Sequence, residues 1–272
     1  MLATPIGNLQ DISLRGVQLL TAATVIAAED TRVARRLLAG LKIPLSARLL
    51  SARAHNEQHA AQQILQELQA GNAVVYISDA GTPAVSDPGA RIVATVRAAG
   101  FEVSPVPGAS ALTALLAVAA LPLGSVHFYG FPPATATARR RLFATVAALD
   151  GFSVFYESPH RIAAMLNDLA ETLGKERRIV LGRELTKLHE QIIDAPLMDV
   201  IAAVAQGEIP QRGEFVFAVE NPALQAQTVD AKRIFLQLTA WLPPRKAAAA
   251  TAKITGANAS ELYKEHIADK SQ

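Results

Sequence analysis

Cysteine is absent from all 272 residues. Disulfides, thiolate metal sites and cysteine nucleophiles are therefore excluded, and a reducing, cytoplasmic setting is expected. Long apolar runs are missing as well. The longest candidate, residues 109–123, is alanine-rich and short and runs into Pro122, so it reads as a buried helix rather than a membrane span. The opening residues, MLATPIGN, lack a basic stretch followed by an apolar one, so no signal peptide is expected. A strong charge of one sign is also lacking: the formal net charge is +2, although the isoelectric point is about 9.0. Any polyanionic partner must then be met by a local basic patch.

What is present suits a folded chain. Half of the residues are hydrophobic and 18% are charged, enough for a substantial core. The length suits two domains with an appendage. In the first half, short β-rich runs alternate with amphipathic stretches, which points to an α/β domain with a largely parallel sheet. Strands are predicted at 24–28, 73–78 and 102–106. A helix is predicted over 56–70, with Gly71 as its stop. A second is predicted to start at Asp87-Pro88, with Asp as cap and Pro at the first helical position, and a third near Ser110. Residues 1–4 are very short for a first central strand: either that strand is truncated or the native start lies upstream.

The second half reads as strands at 126–129, 152–156, 177–183, 189–194 and 214–220, several able to pair antiparallel, with helices at 137–149, 159–173 and 197–206. A boundary is placed at residues 121–124 and a linker after Asn221-Pro222. The expected domains are 1–121, 122–221 and a linker with a helix-turn-helix-like tail over 222–272, broken at Pro243-Pro244 and Gly256.

Two common ligand loops are absent: G-x-G-x-x-G after a first strand, and G-x-x-x-x-G-K-[ST]. Glycines instead punctuate Pro5-Ile6-Gly7-Asn8, Asp79-Ala80-Gly81-Thr82-Pro83, Asp87-Pro88-Gly89 and Pro107-Gly108-Ala109-Ser110. An ordinary turn is the plainer reading of each. Loops at strand ends of a parallel sheet also line the ligand crevice, where glycine admits close backbone approach and proline fixes the turn. His55 and His59 stand four apart, a zinc-compatible spacing, but without H-E-x-x-H or an evident third ligand they read as solvent-facing, and no metal is expected.

An ordered set of motifs goes further: ATPIGNL at 3–9, AEDTR at 28–32, HNE at 55–57, SDAGTP at 78–83, YESPHR at 156–161 and RELTK at 183–187. Over residues 1–221 this set resembles the small-subunit ribosomal RNA methyltransferase I family. That family lies in the tetrapyrrole-methylase-like superfamily of class III S-adenosylmethionine-dependent methyltransferases; the helical tail is similar too. The resemblance implies two α/β domains with S-adenosylmethionine in the cleft between them and a homodimer. It implies 2′-O-methylation of a cytidine in the decoding region of 16S ribosomal RNA, on the RNA or the small ribosomal subunit. It would put the cofactor against Pro5, Gly7, Asp79, Gly81, Thr82, Pro83, Pro107, Gly108, Ala109 and Ser110. Backbone of Arg183, Glu184 and Leu185, and of Gly213 and Glu214, would hold its adenine side.

Methyl transfer from a sulfonium is an in-line displacement, with reacting atoms held roughly 3–3.5 Å apart. A ribose hydroxyl is a poor nucleophile, so a carboxylate or histidine could take its proton. Candidates are Glu29, Asp30, His55, Glu57 and Glu157, and no single base is assigned. The competing roles are capping around Thr31 for Glu29 and Asp30, helix-dipole compensation for Glu57, and loop structure for Glu157.

Candidate RNA contacts are Arg32, Arg35 and Arg36, the run Arg139, Arg140 and Arg141, and Arg161 and Lys187; a solvated face is the plainer reading of any such run. Arg139 to Arg141 is favoured, because a basic helix start is locally unfavourable unless an anion comes. Two other functions stay open: a tetrapyrrole-precursor methyltransferase of the same fold, and a non-catalytic RNA-binding assembly protein.

Overall fold

The computed structural model describes residues 1–122, 124–221 and 231–270. The linker expected after Asn221-Pro222 falls outside them. The chain divides into two compact units, Met1–Asn221 and Pro222–Gln272.

In the first unit, β1 (Val25–Ala28), β2 (Arg48–Ser51) and β3 (Val74–Ile77) form a parallel sheet in the order β2-β1-β3. Alternate residues face opposite sides, as the pleat requires. Val25 and Ala27 pack with Ile64, Leu65, Ile92 and Val96 of α3 (Glu57–Gln69) and α4 (Ala90–Ala98). Ile26 and Ala28 pack with Leu20 of α1 (Leu14–Ala22) and with Ala34 and Leu38 of α2 (Thr31–Gly40).

Residues 1–4 lie beside β3. Leu2 N donates to Tyr76 O at 2.9 Å, Ala3 N to Val106 O at 3.1 Å and Val106 N to Met1 O at 2.8 Å. The strand expected over 102–106 is reduced to a single parallel bridge between Leu2 and Val106. The reason is local: its partner segment is four residues long, and Pro105 and Pro107 flank Val106 without an N–H to give. The start of α4 also differs from expectation. Gly89, at φ 135°, is its N-cap, not Asp87.

The second sheet runs β4-β5-β8-β6-β7, from β4 (Val126–Gly130), β5 (Phe152–Glu157), β6 (Arg178–Arg183), β7 (Gln191–Pro196) and β8 (Phe215–Glu220). β4 and β5 are parallel; the other pairings are antiparallel. One face carries Phe155, Ile179, Leu181 and Phe217 against α6 (Ala136–Val146), α7 (Ile162–Leu173) and α8 (Leu197–Gln206). The other carries Val154, Val180, Val216 and Ala218 against Leu115 of α5 (Ala111–Val118). α5 follows the first sheet in sequence but packs on the second. Burying each large side chain contributes about 1.5–3 kcal/mol.

In the second unit, α9 (Ala231–Thr239), α10 (Pro244–Thr255) and α11 (Ala259–Lys270) enclose Phe235, Ala247, Ala248 and Leu262. Pro244 opens α10, and Gly256, at φ 75°, closes it. Among the described residues no helix is long and apolar enough to cross a membrane.

Candidate functional site

Register explains where the loops meet. Phe215 opens β8 opposite Glu157, the last residue of β5, and Arg183, the last of β6. The turns at 158–161, 184–190 and 211–214 are therefore brought to one end of the second sheet. They face the loop at 79–89, which leaves the C-terminal end of β3. Between them is a cavity of about 310 Å³, at the small end of the range for small-molecule sites.

Ile6, Ala80, Gly81, Thr82, Val85, Ser86 and Asp87 line it from one side. Phe131, Tyr156, Glu157, Ser158, Pro159, Leu185 and residues 213–216 line it from the other, with Ser110 and Ala111 at the start of α5.

The walls are built by close backbone approach. A Cβ on Gly7 would lie 2.8 Å from Thr186 Oγ1 and 3.1 Å from Leu185 O, so only glycine lets this turn sit on the 185–187 turn. Thr82 Oγ1 donates to Ala109 O at 3.1 Å. Glu184 fixes the next turn: its Oε1 accepts from Glu214 N at 2.9 Å and from Lys187 Nζ at 2.8 Å. Burial alone would raise the Glu184 pKa, but those two partners hold it below its ordinary value. The Lys187 ammonium also meets Glu214 Oε2 at 2.9 Å.

Arg183 is buried. It donates to Pro210 O at 3.0 Å and Arg212 O at 2.8 Å in the loop before β8 and to His189 O at 3.2 Å in the turn before β7, tying the two together.

Of the expected cofactor residues, Gly81, Thr82, Ser110, Leu185, Gly213 and Glu214 line the cavity. Gly7, Ala109 and Glu184 shape its walls from behind, and Gly108 packs on Ala3. Pro5, Asp79, Pro83, Pro107 and Arg183 are not in its lining.

The five proton-acceptor candidates separate. Glu157 alone lines the cavity. Its Oε1 accepts from Ser158 N at 2.8 Å, and its buried Oε2 lies 3.2 Å from Arg161 Nη2 without a hydrogen bond. Burial raises its pKa against the pull of Ser158 and Arg161. Glu57 caps α4: its Oε1 accepts from Gly89 N at 2.9 Å and Arg91 N at 3.0 Å. Asp30 caps α2 through Arg32 N at 2.8 Å and pairs with the Arg32 and Arg53 guanidiniums, hydrogen bonds that hold its pKa down. Glu29 accepts from Asp79 N at 3.2 Å; burial raises the pKa of both. His55 is exposed on a short 3-10 turn, and His59 is exposed on α3. Among the described residues no group of three or more His, Asp or Glu could hold a metal.

The basic residues need one correction. Arg139 is 5% exposed and donates to Asp168 through Nε at 2.7 Å; Arg140 Nε reaches the same carboxylate at 2.7 Å. The anion expected at this helix start is the protein's own Asp168. Arg141 stays exposed, as do Arg35 and Arg36. Arg161 is spent on Glu157 and on the carbonyls of Pro132 and Pro133.

Ile6, inside the Pro5–Gly7 loop expected at the cofactor, lines the cavity, whereas sequence reasoning misses Phe131, Tyr156 and Asp87. Tyr156 lies inside a quoted motif and Asp87 in the Asp87-Pro88-Gly89 turn, so a signal exists for those two.

The family model for tetrapyrrole (corrin/porphyrin) methylases matches residues 1–201, and that for the RsmI C-terminal HTH domain matches 225–270. A curated relative from Xylella fastidiosa, named ribosomal RNA small subunit methyltransferase I, is 45% identical over 97% of this chain and 96% of its own length. The chain belongs to this family of tetrapyrrole methylases. Relatives of the same name from Neisseria meningitidis serogroup A and Escherichia coli O157:H7 are each 42% identical, over 97% and 96% of this chain and 90% and 91% of their own lengths. The family's methyltransferase fold is visible in solved structures. Cobalt precorrin-4 methyltransferase aligns with TM-score 0.60 and 18% identity over 80% of this chain and 92% of that one. Uroporphyrin-III C-methyltransferase from Thermus thermophilus, complexed with S-adenosyl homocysteine, aligns with TM-score 0.54 and 16% identity over 80% and 95%.

Proposed function

We propose that the chain transfers a methyl group from S-adenosylmethionine to the 2′ oxygen of a cytidine ribose in 16S ribosomal RNA of the small subunit. It acts in the cytoplasm, as a homodimer and without a metal. Residues 1–121 and 122–221 supply the two sides of the cofactor cleft, and 222–272 help capture RNA.

The observation that carries this reading is the cavity where turns from both sheets converge, in a chain so close to relatives named for small-subunit RNA methylation. The residues present fit the cofactor. The walls are mostly apolar, glycine backbone stands at Gly81 and Gly213, and Glu157 Oε2, ion-paired with Arg161 at 3.2 Å, still has no hydrogen-bond donor. Glu157 and Glu214 are suited to amine and hydroxyl donors, and Ile6, Phe131 and Leu185 to a flat ring. When bound, S-adenosylmethionine supplies an electrophilic methyl on a cationic sulfonium. The chain's part is to hold the acceptor in line and exclude water. Arg35, Arg36, Arg141 and the exposed edge of Arg140 are the groups placed to meet phosphate.

Calorimetry with S-adenosylhomocysteine tests the cleft: the native chain binds and Gly81→Trp does not, because Gly81 sits at φ 76° with Ile6 Cγ2 3.3 Å from a Cβ. Labelled methyl transfer to undermethylated small subunits, run beside a porphyrinogen, tests the acceptor. Transfer only to the porphyrinogen overturns the reading.

A further inference from the structure

Three carboxylates line the cavity: Asp87, Glu157 and Glu214. Two already face cations, Glu157 with Arg161 at 3.2 Å and Glu214 with Lys187 at 2.9 Å. Asp87 makes no ion pair among the described residues. Its place is unusually defined for a loop. The preceding Ala84 and Ser86 hold φ of 66° and 64°, a conformation costly for residues with a Cβ. Ser86 is seated against Gly130 of β4, and Pro88 O accepts from Ala84 N at 3.2 Å. Strain kept in a loop that presents one uncompensated carboxylate to a cavity calls for a use.

Resting on the function proposed above, we infer that Asp87 is the group that takes the proton from the acceptor hydroxyl. The hydroxyl O–H bond breaks, and its oxygen forms the new bond to the methyl carbon. The methyl–sulfur bond breaks with its electron pair left on sulfur, and the proton passes to an Asp87 carboxylate oxygen. Charge balances: a cationic donor and an anionic carboxylate become two neutral groups.

The surroundings match the task. Burial pushes the Asp87 pKa up to about 6, and the carboxylates of Glu29 and Asp79, at the ends of β1 and β3, add to it while the Ser78 hydroxyl works against it. The Asp87 charge in turn adds to the raised pKa of the Tyr76 and Tyr156 phenols, each raised chiefly by burial, and the Glu157 and Glu214 carboxylates share the cavity with it. A carboxylate near neutrality is a better base than one at its ordinary value of 3.8.

The test compares wild type with Asp87→Asn. Expected results are a fall in kcat of about 10²-fold or more, loss of the acid limb near pH 6 from the kcat profile, and S-adenosylhomocysteine affinity within about threefold. In the ligand-free wild-type chain, a ¹³C-carboxyl NMR titration should show one aspartate with a midpoint near 6, a signal missing in the variant. That titration keeps the inference open to refutation even if the variant misfolds: a midpoint below 5 overturns it. So does an active Asp87→Asn enzyme that keeps its acid limb. If the wild type transfers nothing to small subunits yet shows the raised midpoint, the function reading has failed and this assignment falls with it.

Discussion

Ser86 of the 79–89 loop stands directly against Gly130 at the end of β4, where a Cβ on the glycine would collide with the serine hydroxyl. Gly130 reaches that place through a register shift between Phe128 and Gly130, and it holds φ 65°. The contact ties the loop carrying Asp87 to the second sheet. Gly130→Ala should cost about 1–2 kcal/mol from φ alone, a Tm loss of roughly 2–8 °C by scanning calorimetry. S-adenosylhomocysteine affinity should fall as the loop is displaced. Adding Ser86→Gly should recover part of both; no recovery would show that the contact does not set the loop.

Glu57 gives a cleaner separation of architecture from chemistry. Its carboxylate caps a helix that begins more than thirty residues later. Glu57→Gln keeps an acceptor oxygen and should keep kcat within a few-fold. Glu57→Ala should lower stability by about 0.5–2 kcal/mol in denaturant titrations. A folded Glu57→Gln enzyme without turnover would place this side chain in the reaction instead.

The Arg139–Asp168 pair is almost wholly buried. Asp168→Ala strands the Arg139 charge and should cost about 3–5 kcal/mol. Burial would raise the Asp168 pKa, but hydrogen bonds from Arg140 and Arg139 outweigh it and hold it below 3.8. Being depressed in the folded state, the group stabilises the fold above pH 3.8, and that contribution is lost as pH falls through the lower, folded value. Urea melts from pH 5 down to 2.5 should show wild type losing its advantage over Asp168→Asn; a constant gap contradicts this.

These same residues show how much was legible in advance. Strands β5 to β8 and helices α7 and α8 were readable because their apolar patterns are local, and the cavity's turns because glycine and proline mark them. Helix α4 was started too early because its cap comes from Glu57, far away in sequence. Arg139 was expected at phosphate because Asp168, its partner, lies 29 residues on. Residues 102–106 had a strand's composition, but only Val106 found a partner. Helix α1 and strand β2 have no legible signal in the sequence; of α2 only the start is legible, in the capping role weighed for Asp30 before Thr31, since arginines and alanines crowd the rest, and β2 is four residues long. What was lost in each misplaced case was long-range pairing.

Arg35 and Arg36 are exposed on α2. Replacing both with alanine should weaken binding to small-subunit RNA across sequences and reduce the salt slope by about two. Cofactor affinity should stay unchanged, as neither lines the cavity. Filter binding at several salt concentrations checks this; an unchanged slope moves the RNA elsewhere.

The most direct measurement is nucleoside mass spectrometry. Small subunits from cells lacking this gene would be incubated with the purified chain and S-adenosylmethionine, then digested. One new 2′-O-methylcytidine per subunit, absent with Gly81→Trp, is the predicted result. A methyl on a base, or no new methylated nucleoside, would contradict it.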